Sequence, residues 1–267
     1  MLDPLISGNK WRKLKYPISV AKELCYHGVI SFGGPHSNHL LALAAACQRQ
    51  GLAAHGLVRG HQQLTPTLAH CQQLGMALTF VSREDYRKRH DPARLGQWQR
   101  PGWLLLPEGG SSPQALDGVA ELVRDLDEPW DQIWVPVGSG GTLAGLVFGA
   151  KGQGEIVGVA AVKDASLPTK IDELLSTRQC QHRNYRLLTG FEGPGFGKFT
   201  PQMAAQMQHL AAQFALPIEP IYTGKMLLAF WQQLQAGLLD GKRIVLIHTG
   251  GLQGLEALRQ QGRWPVA

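Results

Sequence analysis

The run Gly138-Ser139-Gly140-Gly141-Thr142 offers the most specific chemistry in the sequence. It follows an apolar stretch, Ile133–Val137, and precedes a helical pattern, Leu143–Ala150. Glycines at such a junction let backbone N–H groups face one point unobstructed, and a helix N-terminus adds positive potential. The loop therefore reads as a phosphate cradle. It is not a Walker loop, because no Gly-Lys-Ser/Thr follows. It is not the dinucleotide fingerprint either, since Gly-x-Gly-Gly has the wrong spacing and no placed acid reads a ribose. A simple tight turn is the alternative reading.

Three further loops carry reactive side chains. In Ser7-Gly8-Asn9-Lys10, Ser and Asn suit a helix cap and Gly permits a close approach. Lys10 then sits on the first turn of a helix with Leu14, Ile18 and Ala21 on its apolar positions, which Pro17 should kink or restart. The positive end of the helix dipole favours a neutral amine, the form that makes a Schiff base. A solvated surface lysine is the ordinary alternative. In Ser31-Phe32-Gly33-Gly34-Pro35-His36-Ser37-Asn38-His39 a strand ends, two glycines turn the chain and Ser37 can cap the next helix. Short donors at that place suit an anion such as a carboxylate, with a plain capped turn as the alternative. His36 and His39 have no neighbours that complete a ligand set, so no metal is expected. The last loop comes in two parts, Tyr222-Thr223-Gly224-Lys225 and His248-Thr249-Gly250-Gly251. A tyrosine at a strand end can donate a proton or stack on a ring, and a threonine hydroxyl can meet a ring nitrogen. Tyr222 could equally be a core aromatic with a satisfied hydroxyl.

The elements that must position these loops alternate between two periods. Strand-like runs include Val29–Phe32, Ala54–Val58, Ala77–Val81, Trp103–Leu106, Ile133–Val137, Ile156–Val162 and Ile244–His248. Helical patterns lie between most of them, among them Ser37–Arg49, Pro113–Leu126, Thr142–Ala150, Pro201–Phe214 and Gly224–Ala236. This alternation predicts an α/β fold with parallel strands covered on both faces, whose ligands collect at the carboxyl ends of the strands. Asp125–Asp131 is a plausible crossing between two lobes. The chain has 267 residues, 44% hydrophobic and 17% charged, with a formal charge of +6. Its basic residues are scattered, which argues against nucleic-acid binding. No apolar run is long enough to span a bilayer, and the start is no secretory signal. The cysteines Cys25, Cys47, Cys71 and Cys180 show no CxxC spacing, so reduced thiols in a cytoplasmic protein are expected.

The order and spacing of Ser-Gly-Asn-Lys-Trp-Arg-Lys-Leu, Gly-Gly-Pro-His-Ser-Asn-His, Gly-Ser-Gly-Gly-Thr, Tyr-Thr-Gly-Lys and His-Thr-Gly-Gly closely resemble the family of 1-aminocyclopropane-1-carboxylate (ACC) deaminases and D-cysteine desulfhydrases. Those are pyridoxal 5'-phosphate (PLP) enzymes with the tryptophan-synthase-β-like fold, fold type II. The resemblance runs from Leu5 to Leu255 and implies a two-lobed enzyme, with a smaller lobe over 15–123 and a larger PLP-binding lobe over 1–14 plus 124–267. It implies that Lys10 forms the Schiff base and acts on the Cα proton. Asn38 would bond the PLP ring hydroxyl, and Ser37 and His39 would hold the substrate carboxylate. Gly138, Ser139, Gly140, Gly141 and Thr142 would bind the phosphate, Tyr222 would be the active-site tyrosine, and Thr223 would face the pyridine nitrogen. A homodimer with a small amino-acid substrate is implied as well.

Two departures steer the function. ACC deaminases carry Tyr-Glu where this chain has Tyr222-Thr223, the pair of the desulfhydrase branch. A neutral Thr suits Cα deprotonation followed by loss of a β leaving group, giving pyruvate and ammonia. Phe196, at the substrate pocket in Gly193-Pro194-Gly195-Phe196-Gly197, stands where the family has a second tyrosine, which disfavours opening of a cyclopropane ring. The expected activity is D-cysteine desulfhydrase-like. The alternatives are ACC deaminase, another PLP-dependent amino-acid lyase, or a truncated PLP-binding non-enzyme. Only nine residues precede Lys10, fewer than in the family, which would leave a sheet edge and an apolar face open.

Overall fold

The apolar runs become two four-stranded sheets, each entirely parallel. The computed structural model describes residues 5–6, 8–195 and 197–264, and the chain divides into two compact units, Met1–Gly118 and Val119–Ala267. Asp125–Asp131 lies within the second unit. In the first unit the strands are β1 (Gly28–Gly33), β2 (Ala53–Arg59), β3 (Met76–Val81) and β4 (Trp103–Leu106), in the order β3-β2-β1-β4. The helices are α1 (Asn9–Glu23), α2 (Asn38–Gln50), α3 (Pro66–Gln73), α4 (Arg83–Arg87) and α5 (Pro92–Leu95), and α6 (Pro113–Arg124) runs across the division. β1 is buried along its whole length, as a central strand covered on both faces requires. Its alternate residues serve two cores: Val29 packs with Leu40, Leu43 and Val58, whereas Ile30 and Phe32 pack with Leu57, Val81 and Tyr86. α1 continues through Pro17 rather than restarting. Its N-cap is Gly8 (φ 63°, ψ −141°) with no side-chain cap, so Asn9 is the first helical residue and not the cap. Ser7, the other residue expected to suit that cap, lies outside the described residues.

The second unit holds β5 (Gln132–Val137), β6 (Glu155–Ala160), β7 (Tyr185–Leu188) and β8 (Ile244–Leu246), in the order β7-β6-β5-β8. Its helices are α7 (Gly141–Ala150), α8 (Leu167–Thr177), α9 (Pro201–Gln213), α10 (Thr223–Gln235) and α11 (Leu255–Gln260). α10 covers one sheet face: Met226 and Ala229 pack on Trp134, Val157 and Val159. α7 covers the other, with Leu143 close enough to Gly158 that a Cβ there would stand 2.9 Å from it. β8 is two residues shorter than its apolar run, although Ile247 N still donates to Trp134 O at 2.9 Å. Among the described residues no helix is long and apolar enough to cross a membrane.

Candidate active site

In the first unit the reactive residues gather where β1, β4 and the start of α1 end their runs. Lys10 lies on the first turn of α1, and its Nζ donates to Asn9 Oδ1 at 2.9 Å. One turn on, Lys13 is buried and donates to Ser111 Oγ at 2.8 Å. Burial, then the charge of Lys10, holds the Lys13 amine well below its ordinary value. Ser37 caps α2 by accepting from Leu40 N at 3.2 Å, which leaves its own hydroxyl hydrogen to donate. Asn38 is half-buried on the first turn of α2. His39 is buried, with Nε2 2.8 Å from Ser31 Oγ. Ser31 Oγ also lies 3.0 Å from Leu106 O and 3.2 Å from Pro107 O. Carbonyls only accept, so the one hydroxyl hydrogen of Ser31 goes to them and His39 Nε2 must donate. Burial, then the charges of Lys10 and Lys13, keeps the ring well below its ordinary pKa and so neutral. Its Nδ1 is a buried lone pair with no hydrogen-bond partner among the described residues. His39 packs against Gly110, at φ 66°, where a Cβ would stand 3.1 Å from its Cε1.

In the second unit the glycine loop joins β5 to α7. Gly140 caps α7 in the left-handed region (φ 83°), no side chain caps the helix, and no acid stands in its first turn. The positive end of the helix dipole at this loop favours an anion. Tyr222 packs on the first residue of that loop: a Cβ at Gly138 would stand 3.1 Å from Tyr222 Cε1 and 3.7 Å from its hydroxyl oxygen. Tyr222 is the N-cap of α10 and Thr223 its first residue. The Thr223 hydroxyl is buried and has no hydrogen-bond partner among the described residues. An unsatisfied hydroxyl costs stability unless a ligand meets it. This donor suits a neutral ring nitrogen, and the glycine loop suits a phosphate, so the residues fit an aromatic phosphate cofactor. Phe196 lies outside the described residues.

Sequence reasoning did not single out Ser31, Lys13, the Glu108–Ser111 turn or Glu219 as site residues. Glu219 is buried and accepts from three successive backbone N–H groups: Ile221 at 2.8 Å, Tyr222 at 2.9 and 3.1 Å, and Thr223 at 2.6 Å. Burial pushes its carboxyl up, and the N–H groups of Thr223, Ile221 and Tyr222 pull it partly back. Lys225 is fully buried, with Nζ on Ala161 O at 3.0 Å and Glu192 O at 2.7 Å. Burial lowers its amine to about 8. Nothing in the local sequence marks Glu219, because an acid three residues ahead of the cap position is no helix-start signal.

Known proteins of the same kind share most of this chain. A putative 1-aminocyclopropane-1-carboxylate deaminase of Pyrococcus horikoshii is 28% identical, over 93% of this chain and 81% of its own. A D-cysteine desulfhydrase of Serratia proteamaculans is 27% identical, over 96% and 86%. Among solved structures, an ACC deaminase homologue superposes with a TM-score of 0.79 at 26% identity, covering 96% of this chain and 83% of that one. Serine racemase from Dictyostelium discoideum shares the fold, with a TM-score of 0.66 at 19% identity. The family described as pyridoxal-phosphate dependent enzyme matches residues 2–250, and the chain belongs to it.

Proposed function

We propose that this enzyme is a D-cysteine desulfhydrase-like lyase that deprotonates Cα of a small amino acid and expels a β-thiol as sulfide, after which one water hydrolyses the unsaturated product to pyruvate and ammonia. When bound, PLP supplies a sink for negative charge at the substrate Cα. Lys10 would hold the cofactor through its Nζ, and the same amine would take the Cα proton. Gly138 through Thr142 bind the phosphate with backbone N–H groups. Asn38 bonds the ring hydroxyl, and Ser37 donates to the substrate carboxylate. His39, with Nε2 committed to Ser31, orders that turn instead of donating to the carboxylate. Tyr222 gives a proton to the leaving sulfur.

The observation that carries this reading is the buried Thr223 hydroxyl without a partner. A neutral donor opposite the pyridine nitrogen leaves that nitrogen unprotonated, which suffices for a short elimination path. The names of the relatives support both D-cysteine and ACC. ACC has no Cα hydrogen for Lys10 to remove, and Phe196 offers no hydroxyl, so ACC is the poorer substrate. A cytoplasmic homodimer belongs to the same proposal. The test is a visible spectrum of purified protein, then D-cysteine, L-cysteine and ACC in turn, with pyruvate and sulfide measured. Wild type shows a PLP band that Lys10→Ala loses, and D-cysteine releases both products. A folded wild type that binds no PLP, or one that turns over ACC fastest, refutes the proposal.

A further inference from the structure

The N-terminus of α10 is built differently from those of α2, α3 and α9. Those three are capped by the hydroxyls of Ser37, Thr65 and Thr200. At α10 the cap position belongs to Tyr222 (φ −121°, ψ −72°), whose side chain makes no cap hydrogen bond. Glu219 takes over that duty from three residues upstream. Its carboxylate accepts from residues 221, 222 and 223, and its carbonyl accepts from Gly224 N at 2.8 Å. Four successive N–H groups thus end on one residue. A buried charge is a costly way to cap a helix when a hydroxyl would do. Here it serves a helix whose cap residue makes no side-chain cap bond of its own. Lys225 fixes the next position by bonding two carbonyls from separate segments. The Tyr222 ring, meanwhile, rests on Gly138, so any tilt of this backbone moves the ring against the glycine loop.

We propose that Glu219 is a positioning residue: its carboxylate sets the backbone from which the Tyr222 and Thr223 hydroxyls reach the cofactor and substrate. This rests on the PLP reading above. It also separates Glu219 from a plain helix cap, which would affect stability alone.

The test is Glu219→Gln, which keeps the shape but replaces one acceptor oxygen by an NH2 that confronts N–H donors. In PLP-free protein the amides of residues 221–223 exchange about tenfold faster or more. Reconstituted protein binds PLP about tenfold more weakly with a displaced visible band, and with D-cysteine kcat falls about tenfold while KM stays within about threefold. In a Tyr222→Phe background the further loss of kcat is under about threefold, because the two residues act as one unit. Faster amide exchange with wild-type PLP affinity, band and kcat would make Glu219 a cap only and overturn the proposal. Should Glu219→Gln fail to fold, Glu219→Asp keeps both oxygens at shorter reach. Amide protection and the PLP band then change together, and a change in one without the other overturns the proposal. A wild type that binds no PLP instead refutes the functional reading, and so the two failures are distinct.

Discussion

Replacing Thr223 by Val should move two free energies in opposite directions. The Thr223 side chain is 3% exposed and its hydroxyl has no partner. Leaving such a group unsatisfied costs about 1–3 kcal/mol, and an apolar group of the same shape relieves it. Valine differs from threonine by a methyl in place of that hydroxyl. It enters at the first residue of α10, where the backbone N–H stays on Glu219. Cofactor-free protein is therefore stabilised by about 1 kcal/mol, a rise in Tm of about 2–4 °C for a chain of this size. With PLP bound the balance reverses, because a hydroxyl-to-nitrogen bond worth about 0.5–1.5 kcal/mol is lost. The free-state gain and the bound-state loss add in the binding free energy, about 1.5–2.5 kcal/mol, so the PLP Kd rises roughly tenfold to seventyfold. Calorimetric melting of PLP-stripped and reconstituted protein reads both effects, since the gap between the two melting points should shrink from both sides. A stripped Thr223→Val protein that melts below stripped wild type refutes the orphan hydroxyl. A stabilised stripped protein with unchanged PLP affinity refutes the assignment of that hydroxyl to the ring nitrogen.

Two further outcomes follow from chemistry away from the site. Burial pushes the Cys47 and Cys71 thiols up to about 12, whereas Cys25 is exposed. A thiol-disulfide reagent should therefore label Cys25 rapidly and spare Cys47 and Cys71 until the protein is denatured; rapid labelling of either in native protein contradicts their burial. Asp131 is tied to Arg243 through both carboxylate oxygens, and the side-chain bond from Arg243, followed by that from the Arg243 backbone, holds its carboxyl down to about 2. A depressed folded-state pKa means that the stabilisation is present above the unfolded value near 3.8 and is lost as pH falls toward about 2. The Tm deficit of Asp131→Asn should accordingly be visible at pH 7 and close between about pH 4 and 2; a deficit independent of pH would show that the charge is not involved.

The fold was legible where burial is complete and obscure where it is not. β1, β5 and β6 are buried nearly throughout and stand in the sequence as largely apolar runs. β7, Tyr185–Leu188, is half-buried at a sheet edge and includes Arg186, which bonds Glu155 at 2.9 Å, so no apolar run marks it. At the site, legibility followed the backbone. Gly138–Thr142 and Ser37 announce themselves because a loop that must offer N–H groups, or cap a helix, has few residue types to choose from. The residues that escaped notice work through tertiary contacts. Ser31 is one polar residue inside an apolar strand, and only the fold brings it to His39, eight positions on.

Glu219 shows why spacing alone was insufficient. Three residues ahead of a helix cap, an acid is ordinarily a solvated turn residue, and nothing local requires it to be buried. Its burial follows from Tyr222 occupying the cap with a side chain that does not cap. With that position given to a tyrosine that does not cap, the N–H groups of the first turn still need an acceptor, and Glu219 is the side chain that supplies it. The role proposed for Tyr222 would thus fix a second residue that never has to touch the substrate.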